Sequence, residues 1–283
     1  NNASMELRAG ELRLALRPDL GGCIAGLWLG TAPVLRSTEP GTLESSRLSG
    51  CFPLVPYSNR LAHRRFTWQG SDYTTAPNFD DNPHSVHGTA WQQPWHATLT
   101  SESRVELHLA HRGNDHWPFA FEATQRFDLT PAGLRVSMTV TNTDKAAQPM
   151  GLGWHPYFQK RLRSRIHLEC SGRWESDPVT QLPTRHVTQH GIDSDVRYLE
   201  SDHCYDGWRG MARVRDEVMS VGLSSSLSRA VVFTPATRDY FCVEPVSHAS
   251  DAIHMADPMA HGLVQLASGD TTQAWMQLDV AHA

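Results

Sequence analysis

No apolar run in this 283-residue sequence approaches the roughly 20 residues a membrane-spanning helix needs; runs such as Cys23–Leu29 are far too short. No block of Lys or Arg interrupts a formal net charge of -5, which argues against nucleic acid or an anionic membrane surface as the main partner. No charged-then-apolar leader opens the sequence, so a secretory signal is not expected, and residues 1–4 ahead of Met5 read as a remnant of cloning. Cys23, Cys51, Cys170, Cys204 and Cys242 are odd in number and scattered, without a Cys-x-x-Cys pair. That spacing excludes a disulfide framework and a structural zinc site, and predicts small buried hydrophobes in a reducing, cytoplasmic compartment. Heptads, low-complexity tracts and fixed-period repeats are missing as well. So are the nucleophile elbow, the phosphate-binding glycine loop and the dinucleotide fingerprint.

What the chain does contain is enough apolar matter, 40% of residues, to build a sizeable core. Its dominant pattern has period two. Leu12, Leu14 and Leu16 alternate with polar or small neighbours, as do Val105, Leu107 and Leu109. Phe121, Ala123, Phe127 and Leu129 share one parity up to Pro131-Ala-Gly133; Leu134, Val136, Met138 and Val140 then share another. That pair predicts two antiparallel strands joined by a tight turn. Ile166–Cys170, Ala230–Phe233 and Phe241–Val243 are further strand candidates, while helix is expected only as one turn over Thr42–Arg47. The pattern predicts an all-β chain, a large antiparallel β-sandwich over residues 5–283 forming a single domain. A propeller would show blade-length repeats.

Five segments depart from the alternation and gather polar and aromatic groups. Pro53–Arg60, followed by Leu61–Phe66, presents a guanidinium on a rigid loop. Asn82–Gly88 carries His84 and His87 ahead of Trp91 and Trp95, but no third ligand follows at a metal-binding spacing, so no metal is expected. Gly151–Phe158 sets His155 among three aromatics and Pro156. Asp202–Tyr205 offers an acid in a polar setting, and Phe241–His248 ends a strand in Glu244-Pro245. A glutamate so placed needs a partner or a catalytic task. Together these residues make an acid/base set that calls for proton transfer without a cofactor.

In order and spelling the segments resemble the aldose 1-epimerase (mutarotase) family. The matching pieces are Asn59-Arg60 before Arg65-Phe66, His87-Gly88, Trp117–Phe119 running into Phe127, Asn142, Gly153–Phe158, Asp202-His203 and Val243–Pro245. The resemblance implies a β-sandwich of the galactose-mutarotase type. It also implies that His155 is the general acid toward the ring oxygen of a sugar and Glu244 the general base toward the anomeric hydroxyl. Arg60 and His87 fall on substrate-orienting positions, and Asp202, or alternatively Asp206, on the aspartate that bonds sugar hydroxyls. Asn59, Trp154 and Tyr157 belong to the same substrate-binding set. Trp154 is a departure, because better-known galactose mutarotases carry Asn before the histidine, and it bears on which sugar is bound.

The resemblance further implies a small-molecule sugar partner, no organic cofactor or metal, and a monomer or homodimer. A hexose-6-phosphate 1-epimerase is the nearest relative activity, with Arg64, Arg65 or Lys160 as the basic residues it would need at the pocket mouth. A carbohydrate-binding β-sandwich would not need His155 and Glu244 together. A glycoside hydrolase would need two carboxylates, for which Glu244 and Asp202 are the available pair.

Overall fold

The computed structural model describes residues 4–283. Two large sheets dominate it, one of eleven strands and one of nine, and their ladders are antiparallel. The alternating segments named above form the sandwich as expected. Phe121–Thr130 and Gly133–Asn142 make a hairpin whose register closes at Thr130 opposite Gly133, leaving Pro131 and Ala132 as the turn. Helix among the described residues is confined to short 3-10 turns. The turn expected over Thr42–Arg47 is instead two, Pro40–Thr42 and Ser46–Leu48, because Leu43 at the end of the first is in extended backbone.

The nine-stranded sheet turns one face to solvent, and its central strands alternate buried and accessible residues. Its inner face meets the eleven-stranded sheet through a continuous core that includes Phe127, Val136, Met138, Trp154 and Phe241. At its centre the eleven-stranded sheet is covered on both faces. Every residue of its strand Cys23–Leu29 is buried, and a second apolar cluster, with Phe52, Leu54, Tyr157, Val231 and Cys242, lies on its outer face. All five cysteines are buried, Cys23, Cys204 and Cys242 within that outer cluster. No helix among the described residues is long and apolar enough to cross a membrane.

The two adjacent central strands that carry His155 and Glu244 each contain proline. Gly153–Gln159 pairs with Tyr240–Val246 at Gly153↔Val246 and again at Tyr157↔Cys242. Between those pairings stand Pro156 and Pro245, neither of which has an N–H to give. The register therefore sets His155 directly across from Glu244. Core truncation at the inter-sheet face tests the architecture: Phe127→Ala should lower stability by about 3–5 kcal/mol in urea denaturation, whereas a cost below about 1 kcal/mol would mean that the two sheets do not close on this residue.

Candidate active site

Side chains on a strand alternate between faces, so His155 and Tyr157 share the outer face and Trp154 takes the inner one. The same parity brings Phe52, His155, Glu244 and Val231 into one row across four neighbouring strands. Tyr157, Cys242, Phe233 and Asp202 form the adjacent row. Over these rows lies a cavity of about 540 Å³. Its roof comes from the short ladder Arg60–Leu61 with Ser85–Val86, which delivers Arg60 and the following His87 together.

His155 Nε2 lies 3.4 Å from Glu244 Oε1, and both side chains are buried. The His155 ring stacks on Phe52 and on Tyr157, with centroids 4.7 and 4.4 Å away. Its Nδ1 meets no hydrogen-bond partner from another described residue. Burial pushes this imidazole down to about 3. Burial, with Asp202 adding to it, holds Glu244 well above the ordinary carboxyl value, against the pull of Arg60. Both shifts favour the proton on Glu244 and a neutral His155, the reverse of the ionised starting pair that ring opening calls for. Either arrangement holds one proton between the two groups.

His87 sits 5.0 Å from His155, ring to ring and edge-on. The Asn59 amide donates to its Nδ1 at 2.9 Å, and the His87 amide donates to the Asn59 carbonyl at 2.8 Å. An Nδ1 that accepts carries no proton, so the neutral ring presents Nε2–H to the cavity. Burial, together with His155, Arg60 and Arg47, lowers its pKa well below the usual value. Arg60 donates to Asn59 Oδ1 at 3.3 Å and to Gln181 Oε1 at 2.5 Å. Asp202 lines the cavity with a carboxyl raised by burial and partly restored by Arg60. Asp206, four residues farther along the strand, pairs instead with His186 Nε2 at 2.7 Å, outside the cavity.

Several expectations need correction. Trp154 is 1% exposed in the inter-sheet core, where its indole donates to Gln125 Oε1 at 3.2 Å, so it does not reach a cavity ligand. Trp91 and Trp95 do not line the cavity either; its aromatic walls are Phe52, Phe79, Tyr157, Phe233 and Tyr240. His84 accepts from the His63 amide through Nδ1, and its Nε2 meets the Thr180 carbonyl, so it does not converge with His87. The group whose ligand atoms do converge, within 4.8 Å, is His87, His155 and Glu244. Arg64, Arg65 and Lys160 stay off the cavity wall, and the Lys160 ammonium is turned to the Pro235 carbonyl. The cationic wall is Arg36, Arg47, Arg60 and Arg238.

Arg36, Tyr240, Arg238 and Gln181 carried no motif. Gln181 is placed by a turn in which Asp177 Oδ1 accepts from the Val179 and Thr180 amides, a geometry that Asp177-Pro178 signals in sequence. The others come from separate strands and loops that only the fold brings together.

His87, His155 and His248 are buried as neutral rings, His248 with its pKa down to about 4. On unfolding, each gains a proton below the ordinary 6.5. Glu244 opposes them, being protonated when folded and losing its proton on unfolding above 4.5. Between roughly pH 5 and 6.5 the unfolded chain therefore binds more protons, and stability rises with pH. Acidification across that window should lower stability in urea titrations. Stability that is flat or rises on acidification would contradict neutral burial of these histidines.

The chain matches the family model described as aldose 1-epimerase over residues 4–279. It is 32% identical over 292 residues to the uncharacterized protein YphB of Escherichia coli K12, covering 97% of each. A crystal structure from Escherichia coli K12, provisionally assigned as an aldose 1-epimerase, is 31% identical, with a TM-score of 0.89 and 99% of each chain covered. A galactose mutarotase-like protein from Clostridium acetobutylicum shares the fold at 17% identity, with a TM-score of 0.85 over 99% of this chain and 95% of that one.

Proposed function

The chain belongs to the aldose 1-epimerase family, and from that membership we propose that it interconverts the α and β anomers of an aldose by acid/base opening and reclosure of the hemiacetal ring. The observation that carries the reading is His155 facing Glu244 at 3.4 Å on the floor of a cavity large enough for a hexose. Glu244 takes the proton from the anomeric hydroxyl while His155 gives one to the ring oxygen. The carbon–oxygen ring bond breaks, the open aldehyde rotates, and the same two groups work in reverse as the ring closes on the other face. The Nε2–H of His87 and the guanidinium of Arg60 orient the sugar and stabilise charge on its oxygens, and Asp202 accepts from its hydroxyls.

The ionised pair arises when the sugar binds. A hydroxyl that donates to Glu244 favours its carboxylate, and the released proton has only a short distance to travel to His155. Phe52 and Tyr157 hold the imidazole plane, so the proton is delivered in one direction. Exchange of anomers by NMR magnetisation transfer is the direct assay. Glu244→Gln and His155→Asn should each slow kcat by about 10²–10⁴-fold, and the double variant should be far from additive because both act in one transition state. A folded Glu244→Gln protein exchanging at the wild-type rate excludes the mechanism.

The pair also sets the pH profile. Only its singly protonated form turns over, and burial keeps a second proton off His155 until about 3. The acid limb of kcat/KM should therefore lie well below the ordinary imidazole value of 6.5, provided the fold survives. A midpoint at 6.5 in the wild type would mean that His155 titrates as a solvated ring.

A further inference from the structure

The cavity wall has a surplus of positive charge that anomer exchange does not use. Four guanidiniums line it, those of Arg36, Arg47, Arg60 and Arg238, against two carboxyl groups, Asp202 and Glu244. Of the four, only Arg47 has a carboxylate partner among the described residues, Asp80 Oδ2 at 2.8 Å. This concentration sits in a chain whose formal net charge is -5, so it is a local feature and not the average of the surface.

Arg36 is the most constrained of the group. Its guanidinium lies over the Tyr157 ring at 3.7 Å and is 4.9 Å from the Tyr240 centroid. Nε donates to the Ser49 carbonyl at 2.9 Å and Nη2 to the Arg47 carbonyl at 2.7 Å. Those bonds fix the plane of the fork, while Nη1 has no hydrogen-bond partner among the described residues. Arg238 stands two residues before Tyr240, exposed at the same rim, with no ion-pair partner among the described residues. A neutral sugar would leave both cations unanswered, whereas a fixed guanidinium edge beside a second arginine matches an oxyanion. The position along the substrate follows from Tyr157. Its ring lies 4.4 Å from that of His155 on one side and 3.7 Å from the Arg36 Cζ on the other. With the anomeric carbon at His155 and Glu244, Arg36 is about one sugar ring away.

We propose that the substrate is an anionic aldose, carrying a phosphate or carboxylate on the exocyclic carbon remote from the anomeric centre, and that Arg36 and Arg238, beside the Tyr240 ring, form the subsite for that anion. The inference rests on the epimerase reading for its orientation of the sugar. Arg47, stacked over Phe79 at 3.7 Å and paired with Asp80, also lines the cavity.

The test compares glucose, glucose 6-phosphate and glucuronate in two measurements, anomer exchange by NMR and binding by titration calorimetry. At least one anionic sugar should exceed glucose in kcat/KM by about tenfold or more, with an advantage that shrinks as salt rises. Which of the two anions is preferred distinguishes a phosphate from a carboxylate occupant. Arg238→Glu and Arg36→Gln should each lower the ratio of anionic to neutral kcat/KM by about tenfold. Arg238 is exposed and its side chain makes no hydrogen bond among the described residues, so its variant reads the subsite even if Arg36→Gln disturbs the backbone carbonyls it holds. Equal kcat/KM for neutral and anionic sugars, or a parallel fall for both in Arg238→Glu, would overturn the subsite while leaving the epimerase reading intact. If no sugar is exchanged, the epimerase reading fails by itself, and calorimetry still decides the subsite by whether the anionic sugars bind more tightly than glucose and lose that advantage in Arg238→Glu.

Discussion

Burying a carboxyl group and an imidazole against one another is the constraint on which the rest of the molecule turns. Neither group tolerates charge in an apolar setting unless the other is at hand. Their separation of 3.4 Å is set by strand register, not by flexible loops, because they occupy opposing positions on adjacent central strands. Pro156 and Pro245 stand beside them in the same stretch, where the ladder gives up backbone bonds. The pairings at Gly153 with Val246 and at Tyr157 with Cys242 keep the register on either side. A sheet with both faces covered supplies the dry floor this arrangement needs. The nine-stranded sheet is its backing, and the ladder of Arg60–Leu61 with Ser85–Val86 is its roof.

That double coverage also explains what could be read from the sequence. Strands of the nine-stranded sheet have one wet face, so Leu134 to Val140 and Phe121 to Leu129 announce themselves by alternation. The strands that carry chemistry lack a wet face. Tyr240–Val246 is buried in all but its first residue, and Gly153–Gln159 in all but its last, so no period survives to mark which way a side chain points. Family resemblance supplied His155, Glu244, Arg60, His87 and Asp202 as a set, and the fold gathers all five at one cavity. Trp154 departs from the expected substrate-binding set because adjacency in the motif is not adjacency in space. Once Gly153–Gln159 is a strand, adjacent residues must face opposite ways, and a histidine in the cavity puts the preceding tryptophan in the core. Asp202 and Asp206 share a face, so parity alone could not separate them; the partnership of Asp206 with His186 does.

The strained backbone of the described residues is gathered in part at this cavity. Asn59, His87 and Gln181 all adopt left-handed conformations, with φ of 61°, 67° and 62°, and all three line it. Each costs of order 1–2 kcal/mol for a residue with a Cβ, so each must be over-determined by its surroundings. Asn59 and His87 hold one another through two reciprocal amide bonds. Gly88, at φ 71°, continues the turn where a Cβ would stand 2.3 Å from the Val55 carbonyl oxygen. Gln181 is held by its contact with Arg60 and by the Asp177 turn beneath it.

That strain makes a difference between two histidines whose rings lie 5.0 Å apart. Both are buried and both have lowered pKa values, so burial alone cannot say which of them moves a proton. The difference lies in the second ring nitrogen. In His87 it accepts a backbone amide that the turn cannot release, so the ring is locked as a neutral donor from Nε2. Protonating it would break that bond and bring a second positive charge beside Arg60. In His155 the Nδ1 has no such partner, and Nε2 faces a carboxyl group that can give or take a proton. His87 is therefore suited to hold an oxygen in place and His155 to change its protonation state. The backbone geometry at Asn59 and His87 is what keeps the two roles from being exchanged.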